Sequence, residues 1–114
     1  MKRALIIITI LCIVIACSKT GTDNPGTVDC SGATKLFATE VNLIIQSSCA
    51  TNAGCHGSGS SNGPGELLRY AQILSAGSAI RTAIISGRMP QGGSLTTAQK
   101  NSIICWIDNG APDN

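Results

Sequence analysis

Apolar positions recur along this chain in different rhythms, and each rhythm predicts a different kind of segment. From Ala4 to Ala16 they run together, broken only by Thr9 and preceded by the basic pair Lys2-Arg3. Such a run is too short to span a bilayer comfortably and has the layout of a signal-peptide hydrophobic region. The stretch that follows, "SKTGTDNPGTVD" from Ser18 to Asp29, holds hardly an apolar residue. Its Gly, Thr, Asp, Asn and Pro content predicts a flexible tether. After Cys30 the rhythm becomes helical. Leu36, Phe37, Val41, Ile44 and Ile45 fall on one face, with Lys35, Glu40 and Gln46 elsewhere on the wheel, which predicts an amphipathic helix from about Thr34 to Ser47.

Glycine and proline punctuate the rest. The Gly/Ser-rich segment from Gly57 to Gly65, which contains Pro64, predicts a loop. "ELLRYAQILS", from Glu66 to about Ser75, reads as a second short helix, and "SAIRTAIIS", from about Ser78 to Ser86, as a third that Gly87 ends. In "GRMPQGGS", Pro90 and the Gly92-Gly93 pair exclude regular structure around Met89. A last helix starts near Thr96, where the hydroxyl can cap the backbone while Gln99 reaches back. Ile103, Ile104 and Ile107, with Trp106 beside them, give that helix an apolar face, and Gly110 followed by Pro112 ends it. No strand pattern, internal repeat or heptad stands out. The expected fold is all-α, about four helices separated by two Gly-rich loops.

The end of the first apolar run, Val14-Ile15-Ala16-Cys17, resembles the lipobox of bacterial lipoproteins. The resemblance implies that residues 1–16 are a cleaved signal, that Cys17 carries the lipid, that 17–29 is the tether and that 30–114 is one small domain in the bacterial cell envelope. Each buried methylene contributes about 0.8 kcal/mol, so several acyl chains hold a small domain on a membrane without a spanning helix. A plain signal peptide or an N-terminal membrane anchor is the competing reading. Cleavage also changes the charge balance. The full chain has 8 basic and 6 acidic residues, and Lys2 and Arg3 leave with the signal, so the processed chain is neutral. It has no Lys/Arg-rich run, and no nucleic-acid partner is expected.

Cys30, Cys49, Cys55 and Cys105 remain besides the lipidated residue. In an exported protein, disulfides or covalent cofactors are the usual fates of cysteine. "SSCATNAGCHGSG", residues 47–59, places five residues between Cys49 and Cys55 and puts the chain's single histidine, His56, directly after the second cysteine. Haem attachment, a metal site and a disulfide loop all compete for this stretch. Structural zinc usually takes four ligands in pairs separated by two to four residues, whereas the adjacent side chains of Cys55 and His56 diverge.

Together, "CATNAGCHG" and the later "GRMPQGGSLTTAQKNSIICWIDNGAPDN" resemble small bacterial cytochrome c domains, over about Cys30 to Asn114. The resemblance implies a small cytochrome c-like helical bundle around haem c. Cys55, with Cys49, would form thioether bonds to the haem; His56 would be the proximal iron ligand, and Met89, 33 residues further on, the distal one. If the first and last helices pack together as the family implies, a disulfide between Cys30 and Cys105 is reasonable. The departure from the family is the five-residue spacing, where two is usual. Ala50, Asn52, Ala53 and Gly54 are small enough to form a bulge, so double attachment is expected, with a single thioether from Cys55 as the alternative.

A filled His/Met axial pair raises the reduction potential and suits electron transfer. The expected function is therefore a membrane-tethered electron carrier between a redox donor and acceptor. The alternative is a cofactor-free, disulfide-stabilised lipoprotein domain. Little supports an enzyme: no second histidine is present, and Glu40, Glu66, Asp108 and Asp113 form no evident acid/base pair. Glu66 and Asp108 are expected as solvated charges at helix ends. Arg88, beside Met89, reads either as a propionate donor or as a solvated surface charge. With one Phe, one Trp and one Tyr in the chain, aromatic packing area is scarce; a macrocycle or a disulfide could supply the missing support in a domain of about 85 residues.

Overall fold

The computed structural model describes residues 27–114. The signal segment, the lipobox with Cys17 and most of the tether lie outside the described residues. The described part is helical and contains no strand. Its first helix opens as a π-helical segment, Phe37–Val41, and continues as α1, Asn42–Ser48; then come α2, Tyr70–Ser75, α3, Gly77–Ile85, and α4, Thr97–Asp108. None is long and apolar enough to cross a membrane.

The expected first helix starts three residues later than its apolar rhythm suggests. The Leu36 carbonyl accepts from both Glu40 N–H (3.2 Å) and Val41 N–H (3.1 Å), while the Glu40 carboxylate reaches back to Leu36 N–H at 3.0 Å. This wide turn buries Phe37 and Val41 on the same side as Ile45. The expected second helix is also shorter, because residues 66–69 are engaged elsewhere: Leu67 N–H donates to the His56 carbonyl (2.8 Å), and Leu68 and Arg69 N–H both donate to Gln72 Oε1. Helix α3 runs close to its expected bounds.

Helix α4 begins as its sequence predicts. Gln99 N–H donates to Thr96 Oγ1 at 3.2 Å, and Thr96 N–H donates to Gln99 Oε1 at 2.9 Å, a reciprocal capping box. Ile103, Ile104 and Trp106 are at most 1% exposed, and α4 packs against both the first helix and α3. Beyond α4 the chain turns back sharply: Gly110 has φ +92° and Ala111 φ +50°, a left-handed pair that glycine enters without steric cost. The returning segment is tied down by side chains of the core. Trp106 Nε1–H donates to the Pro112 carbonyl (2.9 Å) and Tyr70 O–H to the Ala111 carbonyl (2.8 Å). Phe37 N–H donates to Asn114 Oδ1 (2.8 Å) and Ala38 N–H to the Asn114 carbonyl (2.9 Å).

All three aromatic rings meet in one cluster. Phe37 lies 5.1 Å from Tyr70 edge-on and 5.3 Å from Trp106 in a stacked arrangement, with Tyr70 and Trp106 6.4 Å apart. The few rings are thus concentrated where α4, the first helix and α2 converge, and the remaining core is aliphatic. Cys30 and Cys105 form a disulfide with Cα atoms 5.5 Å apart. It fastens the extended arm before the first helix to the middle of α4. Val28, within the expected tether, packs against the core.

Candidate functional site

The Cys49–His56 stretch leaves α1 and folds back on itself. Cys49 N–H still donates to the Ile45 carbonyl at 2.8 Å, as the last helical bond, while the Cys49 carbonyl accepts from His56 N–H at 3.0 Å. The five intervening residues therefore loop out, and the Cys55-His56 pair returns beside Cys49. Asn52 organises the loop. Its carbonyl accepts from Cys55 N–H (3.0 Å) and Gly57 N–H (2.8 Å), and its Oδ1 accepts from Gly54 N–H (2.8 Å). Gly57 is required by close approach: a Cβ there would lie 2.8 Å from the Asn52 carbonyl carbon. Ser60 Oγ donates to the Cys55 carbonyl, and Asn62 Nδ2 donates to the Gly54 carbonyl at 2.9 Å.

Glu66 anchors the far side of this loop. Its carboxylate accepts from Gly59 N–H at 2.6 Å and from Gln72 Nε2 at 3.2 Å, and these bonds, the backbone one first, hold its carboxyl below the usual range. Gln46 of α1 donates to the Leu67 carbonyl at 2.8 Å. The loop is thereby fixed to α1 on one side and α2 on the other. As expected, Asp108 lies at a helix end with its side chain exposed, whereas Glu66 lies ahead of α2, and both carboxylates have partners in the protein. Asp108, at the end of α4, accepts two bonds from Arg81 of α3, at 2.7 and 3.0 Å. That pairing leaves Arg81 engaged with α4, while Arg88 stays exposed.

His56 is 7% exposed, and its Nδ1 lies 2.9 Å from the Gly65 carbonyl. A carbonyl oxygen only accepts, so Nδ1 carries a proton, and in the neutral imidazole the lone pair is then on Nε2. A backbone carbonyl holding Nδ1–H orients an imidazole and raises its basicity as a ligand. His56 and Met89 line the same cleft, which has two adjoining lobes. One, of about 370 Å³, is bordered by Cys49, Cys55, His56, Asn62, Met89 and Gln91. The other, of about 230 Å³, is walled by Leu67, Ile80, Ala83, Ile84 and Leu95, with Arg88 at its edge, and shares Cys49, His56, Met89 and Pro90 with the first.

Cys49 and Cys55 are both free, partly buried thiols. Burial, and then the nearby Cys55, push the Cys49 thiol above its ordinary value, so it stays protonated near neutral pH. The cleft thus collects an imidazole nitrogen, a thioether sulfur and two thiols around an apolar wall. This donor set fits haem c. Among the described residues, no group of three or more His, Cys, Asp or Glu side chains is placed to hold a metal ion together. The cysteines, His56 and Met89 were readable in the sequence. Asn52, Gly57, Gly65 and Glu66 were not, since they act through backbone groups whose partners only the folded chain brings together. No family model, curated protein or solved structure matches the chain.

Proposed function

We propose that this chain is a monohaem c-type cytochrome of small bacterial cytochrome c-like architecture, tethered to a membrane through Cys17 and carrying single electrons between a redox donor and acceptor. The observation that supports it best is convergence. The only histidine, the only methionine besides Met1 and, among the described residues, the two cysteines outside the disulfide all border one cleft. Bound there, haem would supply an iron centre that takes up and releases one electron without bond making or breaking in a substrate.

The residues divide the work. Cys49 and Cys55 would hold the macrocycle covalently at the loop edge. His56 would ligate iron through Nε2, with Gly65 fixing its ring, and Met89 would ligate from the opposite loop through a soft sulfur that favours the reduced state. Leu67, Ile80, Ala83, Ile84 and Leu95 would exclude water from the ring face. A cofactor-free, disulfide-stabilised lipoprotein domain is the alternative. The Cys30–Cys105 bond suits both readings, and the two unpaired thiols beside an apolar cleft support the first.

Replacing Met89 by Ala tests the ligand set. The reduction potential should fall, and the iron should accept an added ligand that the wild-type protein excludes. An unchanged visible spectrum and potential would remove Met89 from the site. His56→Ala should abolish stable low-spin haem.

A further inference from the structure

We infer that Asn52 and Gly57 are the positioning residues that allow two thioethers across a five-residue spacing. The inference rests on the haem reading above. Without a fold in the loop, five intervening residues would carry Cys49 away from the ring edge that Cys55 and His56 address. In this chain the extra length is closed off. Asn52 gathers the N–H groups of Gly54, Cys55 and Gly57 within 2.8 to 3.0 Å. The Asn52 backbone lies so close over Gly57 that a side chain there would meet its N, Cα and C atoms at 2.8 to 2.9 Å. The result is the 3.0 Å bond from His56 N–H to the Cys49 carbonyl, which restores to Cys49 the proximity that a two-residue spacing gives directly. Neither Asn52 nor Gly57 needs to touch the ligand.

Each cysteine would add its S–H across one vinyl group: a C–S bond forms at the inner vinyl carbon, the π bond is lost, and the thiol proton ends on the terminal carbon. The addition is redox-neutral and has no leaving group. What the loop controls is whether the Cys49 thiol reaches the second vinyl group, because Cys55 is held next to His56 by the chain itself.

The test expresses the full chain in a cytochrome-maturing bacterium and counts thioethers by the reduced pyridine-haemochrome band and by alkylating the remaining free thiols of the denatured, haem-bound protein and reading the added mass. Wild type should carry two. Gly57→Ala, whose Cβ would collide with the Asn52 backbone, should lose one, its band moving to that of Cys49→Ser. Asn52→Ala, which keeps the main-chain carbonyl that binds Cys55 and Gly57 and loses only the bond to Gly54, should retain two. A shortened variant lacking Thr51, Asn52 and Ala53 leaves two residues between the cysteines and should also carry two, even though Asn52 is gone. It provides the reading if the point variants do not accumulate. Two thioethers in Gly57→Ala, or one in Asn52→Ala or in the shortened variant, would overturn the inference. A single thioether in wild type would overturn it while leaving the haem reading intact; no covalent haem in wild type would overturn both.

Discussion

Cutting the Cys30–Cys105 bond should remove a large share of the domain's stability, and Cys30→Ser is the cleanest way to do it. Cys30 is exposed, whereas Cys105 is 2% exposed within α4. Replacing the first therefore opens no cavity and leaves the second thiol filling its place in the core. The bond spans a sequence separation of 75 residues. On the chain-entropy treatment a loop of that length restricts the unfolded chain by about 15 cal/mol/K, or about 4.5 kcal/mol at room temperature. Domains are typically stable by only about 5–15 kcal/mol in total. With a urea dependence of about 1 kcal/mol per molar, the unfolding midpoint should fall by roughly 4 M. Urea titrations of wild type and variant, followed by Trp106 fluorescence and circular dichroism together, measure the shift. A loss below about 1 kcal/mol would refute the reasoning. It would mean that the arm around Cys30 detaches locally and that the crosslink does not constrain the chain as a whole.

Thr96→Ala should cost about 1 kcal/mol, because it leaves Gln99 N–H without its capping oxygen; thermal unfolding checks it, and Thr96→Ser should restore most of the loss. Acid should weaken the contact between α3 and α4. The Arg81 guanidinium, chiefly by hydrogen bonding, holds the Asp108 carboxyl below its ordinary 3.8. The pair's contribution is therefore fully present above that value and is lost as pH falls through the lower folded value. Because both side chains are well exposed, the effect should be small and should shrink with added salt. Comparing the pH dependence of unfolding in wild type and Asp108→Asn isolates it, and identical profiles at low salt would remove the pair from the acid response.

The parts of the fold legible in the sequence are those set by local rules. The Thr96/Gln99 cap and the Gly110 exit of α4 depend on residues within a few positions of each other, and the structure has both. The apolar face of Ile103 and Ile104 follows from helical period and is buried as expected. Where a side chain answers to a distant partner, the sequence was a poorer guide. Helix α2 is short because Glu66, six and seven positions from its partners, serves Gln72 and Gly59 instead of extending the helix. The wide first turn rests on a local bond from Leu36 N–H to Glu40 that the apolar period does not reveal. Asp108 is the exposed helix-end charge expected of it, but its partner Arg81, 27 positions away, meets it only after α3 and α4 pack.

The site divides the same way. Cys49, Cys55, His56 and Met89 were singled out by residue type together with the resemblance to small cytochrome c domains, and the fold brings all four to one cleft. The five-residue gap was visible as a departure, but its resolution was not, because Asn52 works mainly through its main-chain carbonyl and Gly57 through the absence of a side chain. The aromatic shortage pointed to a need for other support. In the fold the three rings are gathered at one end of the core, and the aliphatic wall beside His56 and Met89 borders the cleft instead.

The most direct measurement is a haem stain on a denaturing gel of the exported full chain, made in a cytochrome-maturing bacterium, with Cys49→Ser/Cys55→Ser as control. Haem that stays with the wild-type chain after denaturation, and is absent from the control, is the expected result. A correctly exported wild-type chain that carries no haem under those conditions would contradict it and leave the cleft as the site of a cofactor-free lipoprotein domain.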